Sequence, residues 1–369
     1  LRELAQYEVL TFVRGQSDAD LQDLLAQADA VVHLAGENRP ADVQAFADVN
    51  TGLTERICQG LRDLGKKIPM LLASSAQAEQ DNPYGRSKLA AEQAVQQLAD
   101  GHGNPVAIYR LPGVFGKWCK PNYNSVVATF CHNKAHDLPV QIKDTSARVR
   151  LVYVDDVVNA MLAQFAIGWA ACVRPVVAPE YSVTLGELSD QIDAFKNCRN
   201  TLVSERVGTG LVRALYATYV SYLPIEQFVY DVPVHGDARG VFVEMLKTPD
   251  AGQFSFFTAH PGITRGGHYH HTKTEKFLVI KGHARFGFRH MLTNEVHHIE
   301  THGDILGELD VENFPTLLVT EGAQTRFLGA ITPQPEVAQR LLQSLLSGNR
   351  FSLPEVQGLD EIVRSLLVL

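Results

Sequence analysis

Two sets of residues in this chain have the types and spacing that chemistry needs. In the first, Tyr84 and Lys88 lie four residues apart and follow a pair of serines, Ser74 and Ser75. A phenol at its ordinary pKa of about 10 is a weak acid or base at neutral pH, and an ammonium beside it favours the phenolate, which brings proton transfer within reach. A serine hydroxyl there can hold a carbonyl oxygen. In the second, "GITRGGHYHHTKTEKFLVIKG" runs from Gly262 to Gly282 and carries His268, His270 and Glu275. Two imidazoles and a carboxylate make a donor set for zinc and equally for iron. Tyr-x-x-x-Lys also arises on helices of this composition without any role, and histidines also serve as plain polar residues of exposed strands, so the surrounding elements decide.

From Leu1 to about Gly168, short apolar runs alternate with helical patterns, which predicts a parallel sheet wrapped by helices. "YEVLTFVRG", "ADAVVHLAG", "IPMLLASS" and "PVAIYRLPG" read as buried strands. "SDADLQDLLAQ" opens with Ser17 and Asp20 at capping-box spacing, and "NPYGRSKLAAEQAVQQLA" opens with Asn82 as N-cap and Pro83 in the first turn. That helix projects Tyr84 and Lys88 from one face, toward the strand end at Ser74 and Ser75. Residues 183 to 223 read as two more helices with a polar break around Asn197 to Asn200.

From Phe228 the pattern changes to short alternating strands, "GVFVEML", "GQFSFFTAH", "EKFLVIKGHARFGFRH" and "EVHHIE", which predicts antiparallel β structure. Alternation along a strand puts His268 and His270 on one face, with Glu275 returning from the adjoining strand and His271 on the opposite face. After Gly303 there is no His, Lys, Tyr, Trp, Met or Cys to the end of the chain. Pro335 and Gly348 bracket a helical pattern in that stretch. The predicted organisation is a doubly wound α/β (Rossmann-type) domain over 1–227, an all-β domain over 228–304, and a partly helical tail over 305–369.

The chain has 369 residues, a formal charge of -8 and 45% hydrophobic content, enough for two cores. An acidic balance argues against binding a nucleic-acid backbone. The five cysteines are odd in number, scattered and without a Cys-x-x-Cys pair, which fits reduced thiols. No apolar run reaches a membrane span of roughly 18 to 20 residues, and no signal pattern opens the chain. A soluble, cytoplasmic protein is expected.

"DAVVHLAGENRP" from Asp29, Asn50-x-Gly52-x-Thr54, the Ser75 to Lys88 set, "YRLPGVFG" from Tyr109 and "LVYVDDVV" from Leu151 occur in the order found in extended short-chain dehydrogenase/reductases. The first 230 or so residues resemble that family. The resemblance implies a nicotinamide dinucleotide, with Tyr84 as proton donor, Lys88 as its tuner and a ribose ligand, and Ser75 as the carbonyl holder. It places Leu34, Ala35 and Asn50 on the cofactor side. Arg14 stands where the family chooses between cofactors and favours NADPH; the other reading is a solvated loop charge. The glycine-rich phosphate turn expected after a first strand, on the order of 20 residues with that strand, is missing, so either the chain begins late or it binds cofactor poorly.

Gly262-x5-His268-x-His270-x4-Glu275-x6-Gly282 matches the first cupin motif, and Asp237-Ala-Arg239-Gly240 followed by Phe242 and Glu244 resembles the substrate side of cupin sugar epimerases. Together the modules resemble a two-domain family of capsule-sugar enzymes, over about residues 1 to 304. This resemblance implies a homodimeric enzyme of UDP-N-acetyl-L-fucosamine synthesis acting on a UDP-linked 4-keto-6-deoxy amino sugar. The cupin would epimerise C3 with Zn2+ held by His268, His270 and Glu275, and the reductase domain would reduce C4 with NADPH. Asp237, Arg239 and Lys276 are candidates for sugar contacts or simply solvated charges. A fourth ligand is expected in a segment after Gly303-Asp304, but no histidine comes after it, so either the frame changes there or the C-terminus is divergent. Two other readings stand: a catalytically impaired sugar-nucleotide-binding remnant truncated at both ends, and an iron cupin oxygenase, against which the pairing with a reductase argues.

Overall fold

The computed structural model describes residues 7–169, 171–250, 252–271, 275–304 and 326–328. It divides into two compact units: one runs to Cys198 and takes in Glu205–Leu223, the other takes Arg199–Ser204 and the described residues from Pro224 onward. The helix expected between Pro335 and Gly348, like the rest of the tail beyond residue 328, lies outside the described residues.

The first unit is an α/β fold around a parallel sheet. Helix α1 (Asp18–Gln27) leads to β1 (Val31–His33), α2 (Leu53–Asp63), β2 (Met70–Ser75), α3 (Pro83–His102) and β3 (Val106–Leu111). Strands β4 (Gly113–Phe115), β5 (Arg148–Tyr153), β6 (Cys172–Val173) and β7 (Glu180–Thr184) come next in the chain, with helices α4 (Val126–Ala135), α5 (Val154–Ile167), α6 (Leu185–Thr201) and α7 (Gly210–Val220). The main sheet has the order β1-β2-β3-β6, all parallel, and β4-β5-β7 form a second sheet. Along β2, Met70 and Leu72 join a core with α1, α2 and α3, whereas Leu71 joins another with α5. Period-two alternation thus buries both faces of the strand, which is why it reads as a continuous apolar run.

Capping chemistry sets two helices as the sequence implies. Ser17 and Asp20 form a reciprocal capping box on α1. The Asn82 side chain accepts from the Gly85 backbone N–H at 2.8 Å to start α3, with Pro83 in its first turn.

Two expectations fail here. "YEVLTFVRG" forms no strand: Phe12 packs on the core, Val9, Leu10 and Val13 are exposed, and the segment has no ladder partner among the described residues. A β-propensity run becomes a strand only where a neighbour completes its hydrogen bonds. The break between the last two helices falls at residues 202–209, and Asn197 to Asn200 lie inside α6, where polar residues on an outer face are tolerated.

The second unit is β-rich. Strands β8 (Val229–Asp231), β9 (Val234–Asp237), β10 (Gly240–Thr248), β11 (Gly252–Phe257), β12 (Lys281–Arg289), β13 (Val296–Asp304) and β14 (Arg326–Leu328) pair antiparallel as β9-β10-β11, β12-β13 and β8-β14. Leu202, Val232 and Val243 form its small core. The strand expected to begin at Glu275 begins instead at Lys281, and the described residues from 258 to 280 carry no strand, so His268 and His270 are not set on one face by strand alternation. No described helix is long and apolar enough to cross a membrane.

Candidate active site

Residues from β2 and α3 meet at the end of the parallel sheet. Strand β2 ends on Ser75, whose hydroxyl oxygen accepts from the Gln77 backbone N–H at 3.2 Å and opens a short 3-10 turn, Ala76–Glu79. Helix α3 starts directly against this turn. A Cβ on Gly85 would come within 2.3 Å of the carbonyl oxygens of Gln77 and Gln80, so only glycine permits the approach that brings Tyr84 to Ser75. The Phe46 ring meets the Tyr84 ring edge-on at 5.7 Å and fixes its orientation.

Burial pushes the Tyr84 phenol up from its ordinary value, and the hydrogen bond with the Ser75 hydroxyl partly offsets this. The Lys88 ammonium lies 6.0 Å from the Tyr84 ring centroid. Desolvation of the half-buried phenol is the leading influence on it and favours the protonated form. Burial likewise lowers Lys88, with Glu92 opposing, and the Lys88 Nζ reaches the Ala73 carbonyl at 3.4 Å.

Beside Lys88 is a close backbone approach. A Cβ on Gly36 would sit 2.8 Å from Lys88 Nζ and 3.1 Å from Asn50 Oδ1. Asn50 is buried; its Oδ1 accepts from the Glu37 N–H at 2.7 Å, and its Nδ2 donates to the Glu37 carbonyl and the Ser87 hydroxyl. Its amide is therefore spent inside the protein, holding the 36–37 loop against α3. His33 is buried with its Nε2 2.9 Å from the Thr54 hydroxyl, which itself donates to the Asn50 carbonyl. That assigns the imidazole proton to Nε2, and burial with nearby Lys88 lowers the pKa of His33 to about 4, leaving the ring neutral.

Of the other cofactor-side residues, Leu34 is exposed at 62% and Ala35 is open beside it, both on the loop after β1. Arg14 is solvent-facing and pairs with Glu37 at 2.9 Å, and Tyr123 donates to the other Glu37 oxygen at 3.4 Å. Glu37 was not singled out in the sequence; a carboxylate three residues after Leu34 was its only mark.

The sequence also passed over Glu92 and Arg110. Glu92, four residues beyond Lys88 on α3, is fully buried and accepts hydrogen bonds from Ser74, Arg110 and Arg174. The signals were a carboxylate among Ala91, Val95 and Leu98 on an apolar helix face, and an arginine inside the apolar run of β3.

In the second unit, the ligand atoms of His268, His270 and Glu275 lie within 4.8 Å of one another, in an exposed segment. The His268 and His270 rings meet edge-on at 4.8 Å, and His270 Nε2 lies 3.5 Å from Glu275. Two imidazole nitrogens and a carboxylate oxygen fit a divalent transition metal. His271 stacks edge-on with Tyr269 and is outside this group. Asp237 and Arg239 close the β9–β10 turn on each other at 2.5 Å, which holds the Asp237 carboxyl near 2, and Lys276 is exposed.

A doubly wound parallel sheet with serine, tyrosine and lysine converging at a strand end defines the short-chain dehydrogenase/reductase class. The family described as NAD dependent epimerase/dehydratase matches residues 3–167, and the polysaccharide biosynthesis C-terminal domain matches residues 235–327. A UDP-2-acetamido-2,6-beta-L-arabino-hexul-4-ose reductase of Pseudomonas aeruginosa is 53% identical over 304 residues, covering 82% of each chain. Among solved structures, the capsular polysaccharide assembling protein CapF of Staphylococcus aureus superposes with a TM-score of 0.73 at 41% identity, covering 82% of this chain and 83% of that one. CapF with the inhibitor 3-isopropenyl-tropolone superposes at 0.65 with 37% identity, covering 79% and 78%. The chain belongs to the family of these proteins, NAD-dependent epimerase/dehydratases with an appended polysaccharide-biosynthesis domain, and is an enzyme with reductase activity.

Proposed function

We propose that the protein is a bifunctional nucleotide-sugar enzyme of UDP-N-acetyl-L-fucosamine synthesis. Its α/β unit reduces C4 of a UDP-2-acetamido-2,6-dideoxy-4-hexulose with NADPH, and its β-rich unit, read as a cupin, epimerises C3. The observation that carries the reading is the meeting of Ser75, at the end of β2, with Tyr84 and Lys88 on α3, the Lys88 ammonium 6.0 Å from the Tyr84 ring centroid. Reduction of a ketone needs an acid at its oxygen, and a phenol with a raised pKa is kept in the acid form. The name of the Pseudomonas relative supports the substrate.

In this mechanism Ser75 holds the C4 carbonyl oxygen and Tyr84 gives it a proton. Lys88 offers its cation to the developing charge and its ammonium to a ribose, next to the close approach at Gly36. Bound NADPH supplies the hydride. Arg14 is the residue for its 2′-phosphate, on leaving Glu37, and Leu34 and Ala35 line the adenine side. Asn50 acts indirectly, by fixing the Glu37 backbone.

Epimerisation at C3 comes first, because the C4 ketone acidifies the C3 proton: one group removes it and another returns it on the opposite face. His268, His270 and Glu275 would hold Zn2+, which supplies charge stabilisation near the sugar. Asp237, Arg239 and Lys276 are the proposed sugar contacts, and the assembly is a homodimer.

The test is to supply the UDP-4-hexulose and NADPH to the protein and monitor cofactor oxidation and the new C4 proton by NMR. Oxidation matched by a C4 alcohol is expected; no oxidation over background contradicts the reading.

A further inference from the structure

Glu92 has no part in the chemistry proposed for the reduction, yet it is the most completely enclosed charged side chain among the described residues, at 0% exposure. Its carboxylate accepts from Ser74 Oγ at 2.6 Å, from Arg110 Nε at 2.9 and 3.0 Å and Nη2 at 2.7 Å, and from Arg174 Nη1 at 2.8 Å. Arg110 also pairs with Glu79 at 2.8 Å. Stability alone is a weak reason for such a group, because desolvating a carboxylate is costly and apolar replacements of buried ion pairs are often neutral.

Its location supplies the reason. Tyr84, Lys88 and Glu92 succeed one another at four-residue spacing, so they share one face of α3, one turn apart. Ser74, which Glu92 holds, is the strand neighbour of Ser75. The carboxylate therefore ties the end of β2, the end of β3 and the Arg174 segment to the helix that carries the proton donor. We propose that Glu92 is a positioning residue for the reduction: its buried carboxylate fixes the end of β2 that carries Ser75 against α3 and sets a negative charge one helical turn from Lys88.

The groups facing Lys88 support this assignment. On α3 they are Tyr84 and Glu92; from β1 comes His33, which is neutral; from β2 comes the Ala73 carbonyl; and Asn50 stands beside it near Gly36. Glu92 is the anion of this set, and its effect on Lys88 is to favour the charged form. Removing its charge leaves Arg174 without this partner and Arg110 with Glu79 alone, and the loss of a negative charge on this helix face makes Lys88 and Tyr84 easier to deprotonate.

The test rests on the reductase reading. The pH profile of NADPH oxidation is recorded for the wild type, Glu92→Gln and Glu92→Asp, together with the pH dependence of Lys88 labelling by an amine reagent, read by mass spectrometry. In Glu92→Gln the alkaline limb of kcat and the Lys88 labelling midpoint both move to lower pH, by on the order of one unit, and Glu92→Asp restores them. If Glu92→Gln does not fold, the half-exposed Arg174 is replaced instead: Arg174→Met moves both to higher pH. Unmoved midpoints in a folded variant, with only rate or melting temperature altered, overturn the inference. If the wild type oxidises no NADPH, the reductase reading fails, while the labelling midpoint still decides whether Glu92 acts on Lys88.

Discussion

The two candidate sites are built in opposite ways. Tyr84 and Lys88 stand on a capped helix whose apolar side is part of a core, beside fully paired polar groups such as Asn50 and Glu92. His268, His270 and Glu275 lie in an exposed segment between β11 and β12, drawn together without a ladder of their own. A site of the first kind takes its geometry from packing, before any ligand arrives. In a site of the second kind the ligand does more of the organising, because ligating groups on irregular backbone gain their order from the ion they share. On the proposed reading, the first site responds to small changes in protein charge and packing and the second to metal supply.

The largest expected effect sharpens this contrast. Replacing Tyr84 by Phe removes the acid without disturbing the packed ring, so NADPH oxidation with the 4-keto sugar falls about a hundred- to ten-thousandfold, measured by initial rates, while binding of NADPH is retained. Loss of binding together with rate would show that the packed site does not survive removal of one hydroxyl.

Next in size is a pH effect confined to the packed site. His33 has an ordinary pKa of 6.5, lowered in the fold to about 4. Between those values the unfolded chain takes up a proton that the folded chain refuses, so this group's stabilisation, present above pH 6.5, is lost as pH falls toward 4. The loss is on the order of 3 kcal/mol. Urea midpoints across that range will drop steeply for the wild type and more shallowly for His33→Asn; parallel curves would show that His33 is accessible to protons in the fold.

For the metal-type site, His268→Ala is expected to lower bound zinc and C3 exchange at least about tenfold, by elemental analysis and deuterium incorporation, with NADPH oxidation by pre-epimerised substrate unchanged. Iron in place of zinc in the purified protein would break the assignment of the metal. The smallest effect is at the cap of α3: Asn82→Ala removes the acceptor for the Gly85 N–H and should cost about 1 kcal/mol in urea unfolding, with a matching fall in reductase rate if helix order sets the position of Tyr84.

The same contrast explains what could be read from the sequence. Local rules carried the first unit well: the Ser17–Asp20 box, the Asn82 cap and the four-residue spacing of Tyr84 and Lys88 are all written within a few residues. What escaped was non-local. Glu92 meets Arg110 and Arg174 across 18 and 82 residues, and neither separation leaves a pattern in one sequence. The burial of the Tyr84 phenol also escaped, because it depends on what packs around the ring and not on its neighbours in sequence. In the second unit, motif spacing named His268, His270 and Glu275 as a group and their ligand atoms do lie near one another, while the strand geometry assigned to them did not form, since propensity alone does not supply a pairing partner.

The measurement that bears most directly on the proposed two-site reading is deuterium exchange at C3 with reduction withheld. The protein is mixed with the UDP-4-hexulose in heavy water without NADPH, the sugar is monitored by NMR, and NADPH is added afterwards. Deuterium entering C3 before the cofactor, then loss of the ketone on its addition, is the expected result. Ketone reduction on adding NADPH with no earlier deuterium at C3 would contradict it and leave a reductase alone.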